Sequence, residues 1–244
     1  MNAFHTIEKP LNGRRFVVGD VHGCCQTLQQ LVWQHLQFTT QDQLFLLGDY
    51  IDRGPDGAGV LDFIIDLQNQ GYQVYPLRGN HEQMLLTAWE DFQQLDLDTK
   101  ALICFADKVR DQSMVDHSQD CLLPRFEPWL NNLPYYYALD NFYLVHAGFN
   151  FRKAAPFEDF YAMLWTMRFN LKRYHAIKAQ RKHVVHGHQK TSLPEIKAAV
   201  ASRAKVIPLD NGCYKHHIEG YGQLCALDID NWELFCQPNV DFDR

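Results

Sequence analysis

The chain has 244 residues, 46% of them hydrophobic and 21% charged, a length and balance that fit one large globular domain spanning residues 1–244. Its formal charge of -6 and pI near 6.0 argue against a nucleic-acid polymer as partner, because such surfaces carry a basic excess that displaces phosphate counterions. No stretch reaches the roughly 18 consecutive apolar residues of a membrane span, and the first residues lack the apolar run of a cleaved leader, so a cytoplasmic protein with no membrane partner is expected.

The first predicted unit is a short β run at Arg15–Val18, the loop Gly19-Asp20, and a helix over Thr27–Leu36 with Leu28, Leu31, Val32 and Leu36 at helical spacing. The pattern recurs. Leu44–Leu47 leads into Gly48-Asp49, and Val60, Phe63, Ile64 and Leu67 then share one helical face. Val74–Leu77 leads into Gly79-Asn80, followed by a helix carrying Met84, Leu85 and Ala88. Three consecutive units predict a parallel sheet, with ligands gathered beyond the carboxyl ends of its strands.

From Asp91 to Pro128 the pattern weakens into short helices, with Leu102, Ile103 and Phe105 expected in the core. Tyr135–Leu139 and Phe142–Val145, joined by Asp140-Asn141, read as a hairpin that delivers His146-Ala147-Gly148. Helical material is expected to about Gln180. His183–Val185 then forms a strand ending in His186-Gly187-His188, and Lys205–Leu209, Gln223–Ile229 and Trp232–Cys236 read as strands of a second sheet.

Seven cysteines (Cys24, Cys25, Cys104, Cys121, Cys213, Cys225, Cys236) are odd in number and contain no CxxC pair, which fits neither a disulfide framework nor a thiolate zinc site. Cys24 and Cys25 follow the first motif and are expected to pack rather than react.

The donors on these loops are carboxylate, imidazole and amide oxygen, the set that suits hard or borderline divalent ions. Asp20 and His22 flank Val21 in one tight turn. Asp49 ends the next strand, where one carboxylate can bridge two ions about 3.5–4 Å apart. Asn80 offers an amide oxygen, and His146 and His188 add imidazoles. Taken singly, Asp20, Asp49 and Asn80 fit turn or cap positions equally well; together, each after an apolar strand and beside glycine, they favour metal.

Five motifs, GDVHG at Gly19–Gly23, GDYIDRG at Gly48–Gly54, RGNHE at Arg78–Glu82, HAG at His146–Gly148 and GH at Gly187-His188, occur in this order. With them the chain resembles the calcineurin-like metallophosphoesterases, within them the phosphoprotein-phosphatase family, and most of all its short bacterial and phage-type members. The tail Leu209-Asp210-Asn211-Gly212 is similar to the family's ending. The resemblance implies an α/β fold, a four-layer αββα sandwich with two mixed sheets.

It also implies two divalent metal ions, with manganese as the activator and iron or zinc as alternatives. Asp20, His22 and Asp49 would hold one, and Asp49, Asn80 and His146 the other, with His188 completing either. The family's pattern, glycine directly before the ligand, selects His188 over His186. His81 would be the general acid, oriented and raised in pKa by Asp52. Arg53 and Arg78 would bind phosphate, Arg78 having a structural ion pair as its competing role. Short members carry an arginine two residues after a tryptophan; here Met167 stands there, and Arg168 takes the role through a local shift or the phosphate has one contact fewer. Glu82 is read as capping the helix start.

The reaction so implied is direct in-line attack by a metal-bridging water, with His81 protonating the leaving oxygen. The substrate expected is a phosphorylated protein or a small phosphate ester, a serine/threonine protein phosphatase being the first reading. The alternative is a symmetrical bis(5'-nucleosyl)-tetraphosphatase. Asp52-Arg53-Gly54 and Glu82 point to the first. A non-catalytic binding module is disfavoured by the intact His81, Asp52 and Arg53.

Overall fold

In the computed structural model, which describes residues 4–242 and so leaves both ends of the expected 1–244 span outside the described residues, strand β1 (Phe4–Thr6) is followed by β2 (Arg15–Val18), α1 (Cys25–Gln30), β3 (Gln43–Leu46), α2 (Gly57–Asn69), β4 (Gln73–Pro76) and α3 (Asn80–Gln93). Strands β2, β3 and β4 pair in parallel and in step, Val18 opposite Leu46 and Leu46 opposite Pro76. The three expected strand-loop-helix units are therefore present. The first helix differs from expectation: α1 stops at Gln30, and Leu31–His35 continues as a wider π turn.

Next come α4 (Leu97–Lys100), the two-stranded ribbon β5 (Val115–Asp116) and β6 (Cys121–Leu122), and α5 (Glu127–Asn131). Phe105 is fully buried as expected, but Leu102 is 85% exposed. It lies just beyond the one-turn helix α4 and has no neighbouring element to pack against.

The second half contains β7 (Tyr136–Ala138), β8 (Phe142–Val145), α6 (Phe160–Trp165), β9 (His183–His186), α7 (Leu193–Ala201), β10 (Val206–Pro208), β11 (Gln223–Asp228) and β12 (Glu233–Pro238). The helical stretch expected up to Gln180 holds only a 3-10 turn at Pro156–Glu158, α6 and further turns. The three C-terminal strands also do not share a sheet. β10 joins β1-β7-β8-β9, whereas β11 and β12 extend the first sheet in the order β12-β11-β2-β3-β4. Local apolar patterning shows that a strand exists; it carries no information about which distant edge accepts it.

Alternation along the strands explains the layers. Phe16 and Val18 of β2 and Leu44 and Leu46 of β3 face a core under α1, α2 and α3. Val17, Phe45 and Leu47 point the other way and meet Leu144 of β8, Val185 of β9 and Ile207 of β10 between the sheets. Tyr143, Val145 and Val184 face a third apolar layer covered by Phe149, Met163 and Phe169. Strands buried on both faces read as continuous apolar runs, as these do. Each sheet is mixed, since β7 runs antiparallel to β8 and β11 antiparallel to β2. The result is the four-layer sandwich. No helix of the described residues is long and apolar enough to cross a membrane.

Arg15 ties the two sheets. Its buried guanidinium donates to Asp140 Oδ1 in the β7–β8 turn at 2.7 Å and to Asp230 Oδ1 after β11 at 2.7 Å. Burial would raise both carboxyls, but the Arg15 hydrogen bonds hold each below its ordinary value of 3.8. A depressed carboxylate contributes stability that is present above pH 3.8 and lost as pH falls through the folded value. Arg15→Met is expected to lower stability by about 3 kcal/mol at neutral pH, with the deficit narrowing below about pH 4. Urea unfolding at the two pH values measures this; an equal deficit at both would assign the loss to packing alone.

Candidate functional site

The loops after β2, β3 and β4 meet at one end of the sheet because the strands are parallel and in register. Main chain stitches them together: the amides of Val21 and His22 both donate to the Asp49 carbonyl, at 3.1 and 2.8 Å. The fully buried Glu82 carboxylate accepts from the amides of Asp49 at 2.9 Å, Tyr50 at 2.8 Å and Gly79 at 2.9 Å. It caps the start of α3 and clamps two motif loops at once. A Cβ on Gly79 would stand 2.3 Å from both the amide nitrogen and a carboxylate oxygen of Asp49, so glycine is required for this approach.

Donor atoms converge around Asp49. His22 Nε2 is 3.6 Å from one of its oxygens and His146 Nε2 is 3.4 Å from the other. Asn80 Oδ1 lies 2.9 Å from His146 Nε2 and 2.8 Å from His188 Nδ1. Such separations suit atoms that share an ion about 2.0–2.2 Å from each. Among the described residues two sets of donors lie within 4.8 Å of one another: His22, Asp49 and His81, and Asp49, His146 and His188. Asp49 belongs to both, and His188 falls with the second. The appearance of His81 in the first set is something the sequence did not indicate.

Asp20 leaves β2 beside them. One of its oxygens accepts the His188 amide at 2.9 Å, and the other is buried with no hydrogen-bond partner. A buried carboxylate oxygen without a donor is costly unless a cation satisfies it. The residues present therefore fit a divalent ion.

The electrostatics agree. Burial pushes His22 down to about 4 and, with the charge of His146 adding, His188 down to about 3; burial lowers His146 as well. Neutral imidazole is the ligating form. Asp49 is held down to about 2 although burial opposes it, because His146, His22 and His81 face it. Burial, then Asp210 and Asp49, raise Asp20 well above the usual carboxylate range, and burial brings Asp210 up to about 6. Negative charge is crowded here, and a cation relieves the crowding.

His81 behaves differently from the other histidines. Burial would lower it, but the hydrogen bond from its Nδ1 to Asp52 and the charge of Asp49 raise it. Its Nε2 lies 3.4 Å from Arg53 Nη2. Arg53 is exposed at the rim, donating to Tyr214 Oη at 2.7 Å with its guanidinium 4.8 Å above that ring. Asp52 is held from behind, its amide donating to Asp111 Oδ2 at 3.0 Å.

Two expected residues, Arg78 and Arg168, are placed apart from this cluster or fill another role, and His186, passed over in favour of His188, packs elsewhere. Arg78 is buried and donates to the Leu130 and Asn131 carbonyls at the end of α5 and to Gln83, at 3.0, 2.8 and 2.8 Å. Arg168 is exposed in a left-handed turn after α6. His186 packs its ring edge-on to Phe169 at 5.5 Å. Tyr214, Asp210 and Asp111 join the site without having been singled out. The Leu209–Gly212 tail was the available signal for Asp210; Asp111, in the weakly patterned 91–128 stretch, had none.

His22, Asp49, Asp52, Arg53 and His188 all have positive φ, from 49° to 75°. Non-glycine residues adopt this at a cost of roughly 1–3 kcal/mol each. Gly187 makes a further close approach, since a Cβ there would lie 1.9 Å from Asp20 Oδ1. Gly187→Ala is expected to displace the Asp20 carboxylate and lower bound divalent metal by at least about tenfold in affinity, a cost near 1.4 kcal/mol. Metal analysis after dialysis, beside circular dichroism to confirm folding, checks this; full metal retention would mean Asp20 holds none.

Comparison with known proteins comes to the same place. Residues 13–223 match the calcineurin-like phosphoesterase family. The symmetrical bis(5'-nucleosyl)-tetraphosphatase of Vibrio parahaemolyticus is 31% identical over 134 residues, covering 54% of this chain and 44% of that protein. The protein of the same name from Psychromonas ingrahamii is 34% identical over 139 residues, covering 54% and 43%. The chain thus aligns with less than half the length of these relatives. A protein serine/threonine phosphatase from Saccharomyces cerevisiae superposes with a TM-score of 0.67 over 99% of this chain and 85% of that one, at 14% identity, which speaks to the fold alone. With the match spanning residues 13–223, this chain belongs to the calcineurin-like phosphoesterase family and is a metallophosphoesterase, a hydrolase of phosphate esters.

Proposed function

We propose that this chain cleaves dinucleoside tetraphosphates symmetrically, releasing two nucleoside diphosphates. The chemistry rests on one observation, the Asp49 carboxylate shared between two sets of histidine donors. The substrate is supported by the name common to the curated relatives. This reverses the order in which the sequence ranks the two candidates. Glu82, a residue whose identity points to a protein phosphatase, is fully buried with its carboxylate taken up by three backbone amides, so it carries little weight in the choice.

In this reading Asp20, His22 and Asp49 hold one ion and Asp49, Asn80, His146 and His188 the other. Manganese is the proposed activator, and the same oxygen and imidazole donors accept iron and zinc. Two ions so held supply Lewis acidity and a water acidic enough to attack phosphorus. The remaining work belongs to side chains of this chain. Arg53 presents a planar guanidinium to phosphate oxygens from the rim. Asp52 holds His81 protonated, and His81 Nε2 gives its proton to the departing phosphate oxygen. A cytoplasmic setting belongs to the same reading, supported by seven cysteines without a disulfide.

Diadenosine tetraphosphate, a phosphoserine peptide and p-nitrophenyl phosphate, each with manganese, test the substrate. The dinucleotide is expected to give ADP as its only nucleotide product, with kcat/KM at least about tenfold above the peptide, a difference of 1.4 kcal/mol in transition-state binding. A peptide preferred by the same margin would restore the phosphatase reading.

His81→Asn is expected to slow the reaction by about 10²–10⁴-fold with bound metal unchanged; joint loss of metal and activity would make His81 a ligand instead. In Asp52→Asn the group that raises His81 is gone, so His81 deprotonates at lower pH. The alkaline limb of the kcat/KM profile is expected to move toward acid, and a stationary limb would remove Asp52 from this role.

A further inference from the structure

A second cavity lies beyond the chemistry. It has a volume of about 730 Å³ and is walled by the segment after β8, by α6 and by the turns near 172–175. That volume is within the roughly 300–1,000 Å³ of small-molecule sites. Its position is fixed from the site side: the amide of Ala147, next to His146, donates to the Met163 carbonyl in α6 at 2.7 Å. Trp165, the last residue of α6, lines this cavity and also a neighbouring one of about 460 Å³ whose walls include Asp52 and His81. The indole therefore stands between the candidate active site and the larger cavity.

The lining has two components. Arg152, Lys153, Lys172 and Arg173 bring four cations against one carboxylate, Asp159. Asp159 is already engaged, 3.0 Å from Lys153 Nζ and accepting from the Ala162 amide. Arg152, Lys172 and Arg173 form no ion pair among the described residues and are exposed. Three uncompensated cations at one mouth are a local reversal of sign in a chain of net charge -6. The second component is aromatic. Tyr161 is 75% exposed and stacks on Trp165 with ring centroids 6.3 Å apart and planes 28° apart. An open aromatic face beside free guanidinium and ammonium groups matches a nucleobase joined to phosphate, since bases stack on such rings and phosphate oxygens take cationic donors. An acidic peptide would use the cations and leave the rings idle.

We propose that this cavity is a nucleotide subsite that holds one nucleoside phosphate end of the substrate while phosphorus reacts beside His81. The proposal rests on the dinucleotide reading above, and it adds where half of that molecule sits. Trp165, at the boundary, would be passed by the polyphosphate chain.

Binding is measured by equilibrium dialysis of radiolabelled ADP against the full chain in EDTA, so that metal does not contribute. The variants are the triple Arg152→Ala/Lys172→Ala/Arg173→Ala and the single Tyr161→Ala, all at exposed side chains, with melting temperature as the folding control. ADP binding is expected to weaken at least about tenfold in the triple variant and about fivefold or more in Tyr161→Ala. Pyrophosphate should follow the triple variant and ignore Tyr161→Ala, and hydrolysis of p-nitrophenyl phosphate should stay within about twofold in both. ADP binding that is absent in the wild type, or equal in wild type and triple variant, overturns the subsite; so does an acidic peptide that binds as tightly as ADP with the same dependence on the variants. Steady-state kinetics separates this from the substrate reading. A wild type that binds ADP here yet leaves diadenosine tetraphosphate uncleaved sinks that reading and keeps the subsite, whereas cleavage with a KM unmoved by the triple variant sinks the subsite and keeps the reading.

Discussion

A single buried carboxylate organises the end of the first sheet. Glu82 accepts three backbone amides, those of Asp49, Tyr50 and Gly79, and so closes the loop after β3 onto the loop after β4. Burial and the nearby charge of Asp49 raise its pKa to about 7, against the lowering effect of the Tyr50 and Asp49 amides that it accepts. Without it, Asp49 would sit on a loop joined to its neighbour mainly through main-chain bonds to Val21 and His22. Because Asp49 is the member common to both donor sets, its position sets the spacing between them. Geometry at the two sets is therefore coupled through Glu82, a side chain whose three hydrogen bonds all go to main chain.

The positive φ values at His22, Asp49, Asp52, Arg53 and His188 belong to the same arrangement. A loop that must turn its side chain back toward the strand ends within one or two residues has few backbone options, and the left-handed region is one of them. At roughly 1–3 kcal/mol each, five such residues oppose folding by roughly 5–15 kcal/mol, comparable to the whole stability of an ordinary domain. The three apolar layers beneath the loops offset it. The same reasoning explains why neutral imidazoles and crowded carboxylates coexist at one place: burial disfavours charge on both, and the protein arranges them so that a cation resolves both problems together.

Much of this is legible in the amino-acid sequence. Apolar strands ending in Gly-Asp, Gly-Asp and Gly-Asn locate three loops, and the parallel units they imply are present, with β3 and β4 each starting one residue earlier than their apolar runs suggest. The family resemblance also names the residues that converge, since Asp49, Asn80, His146 and His188 lie within hydrogen-bonding or ligand spacing of one another. What stays hidden depends on long-range partnership. Leu102 looks like core by composition, yet no element covers it. Asp111 reaches the Asp52 amide from 59 residues away, and nothing in its own neighbourhood marks it. The tail strands are visible as strands, but β10 and β11 go to different sheets because pairing is decided by edges that the local pattern does not describe. Arg78 and Arg53 show the same limit from the other side: identical in chemistry and both within motifs, one is engaged by the carbonyls of α5 and the other stands at the rim.

Charge distribution reconciles the acidic chain with an anionic substrate. A net charge of -6 repels a polyphosphate at long range, but at physiological salt that repulsion decays over about 8 Å, so what a bound phosphate meets is the local field. Near the strand ends the carboxyls of Asp20, Asp49 and Asp210 crowd together, and burial with mutual repulsion raises Asp20 and Asp210, a crowding that cations relieve. Beyond Trp165 the sign reverses, through Arg152, Lys172 and Arg173. A mononucleotide or small ester spans one of these regions at a time. In the proposed reading a dinucleotide polyphosphate would lie across both regions, passing Trp165, which lines the two cavities alike.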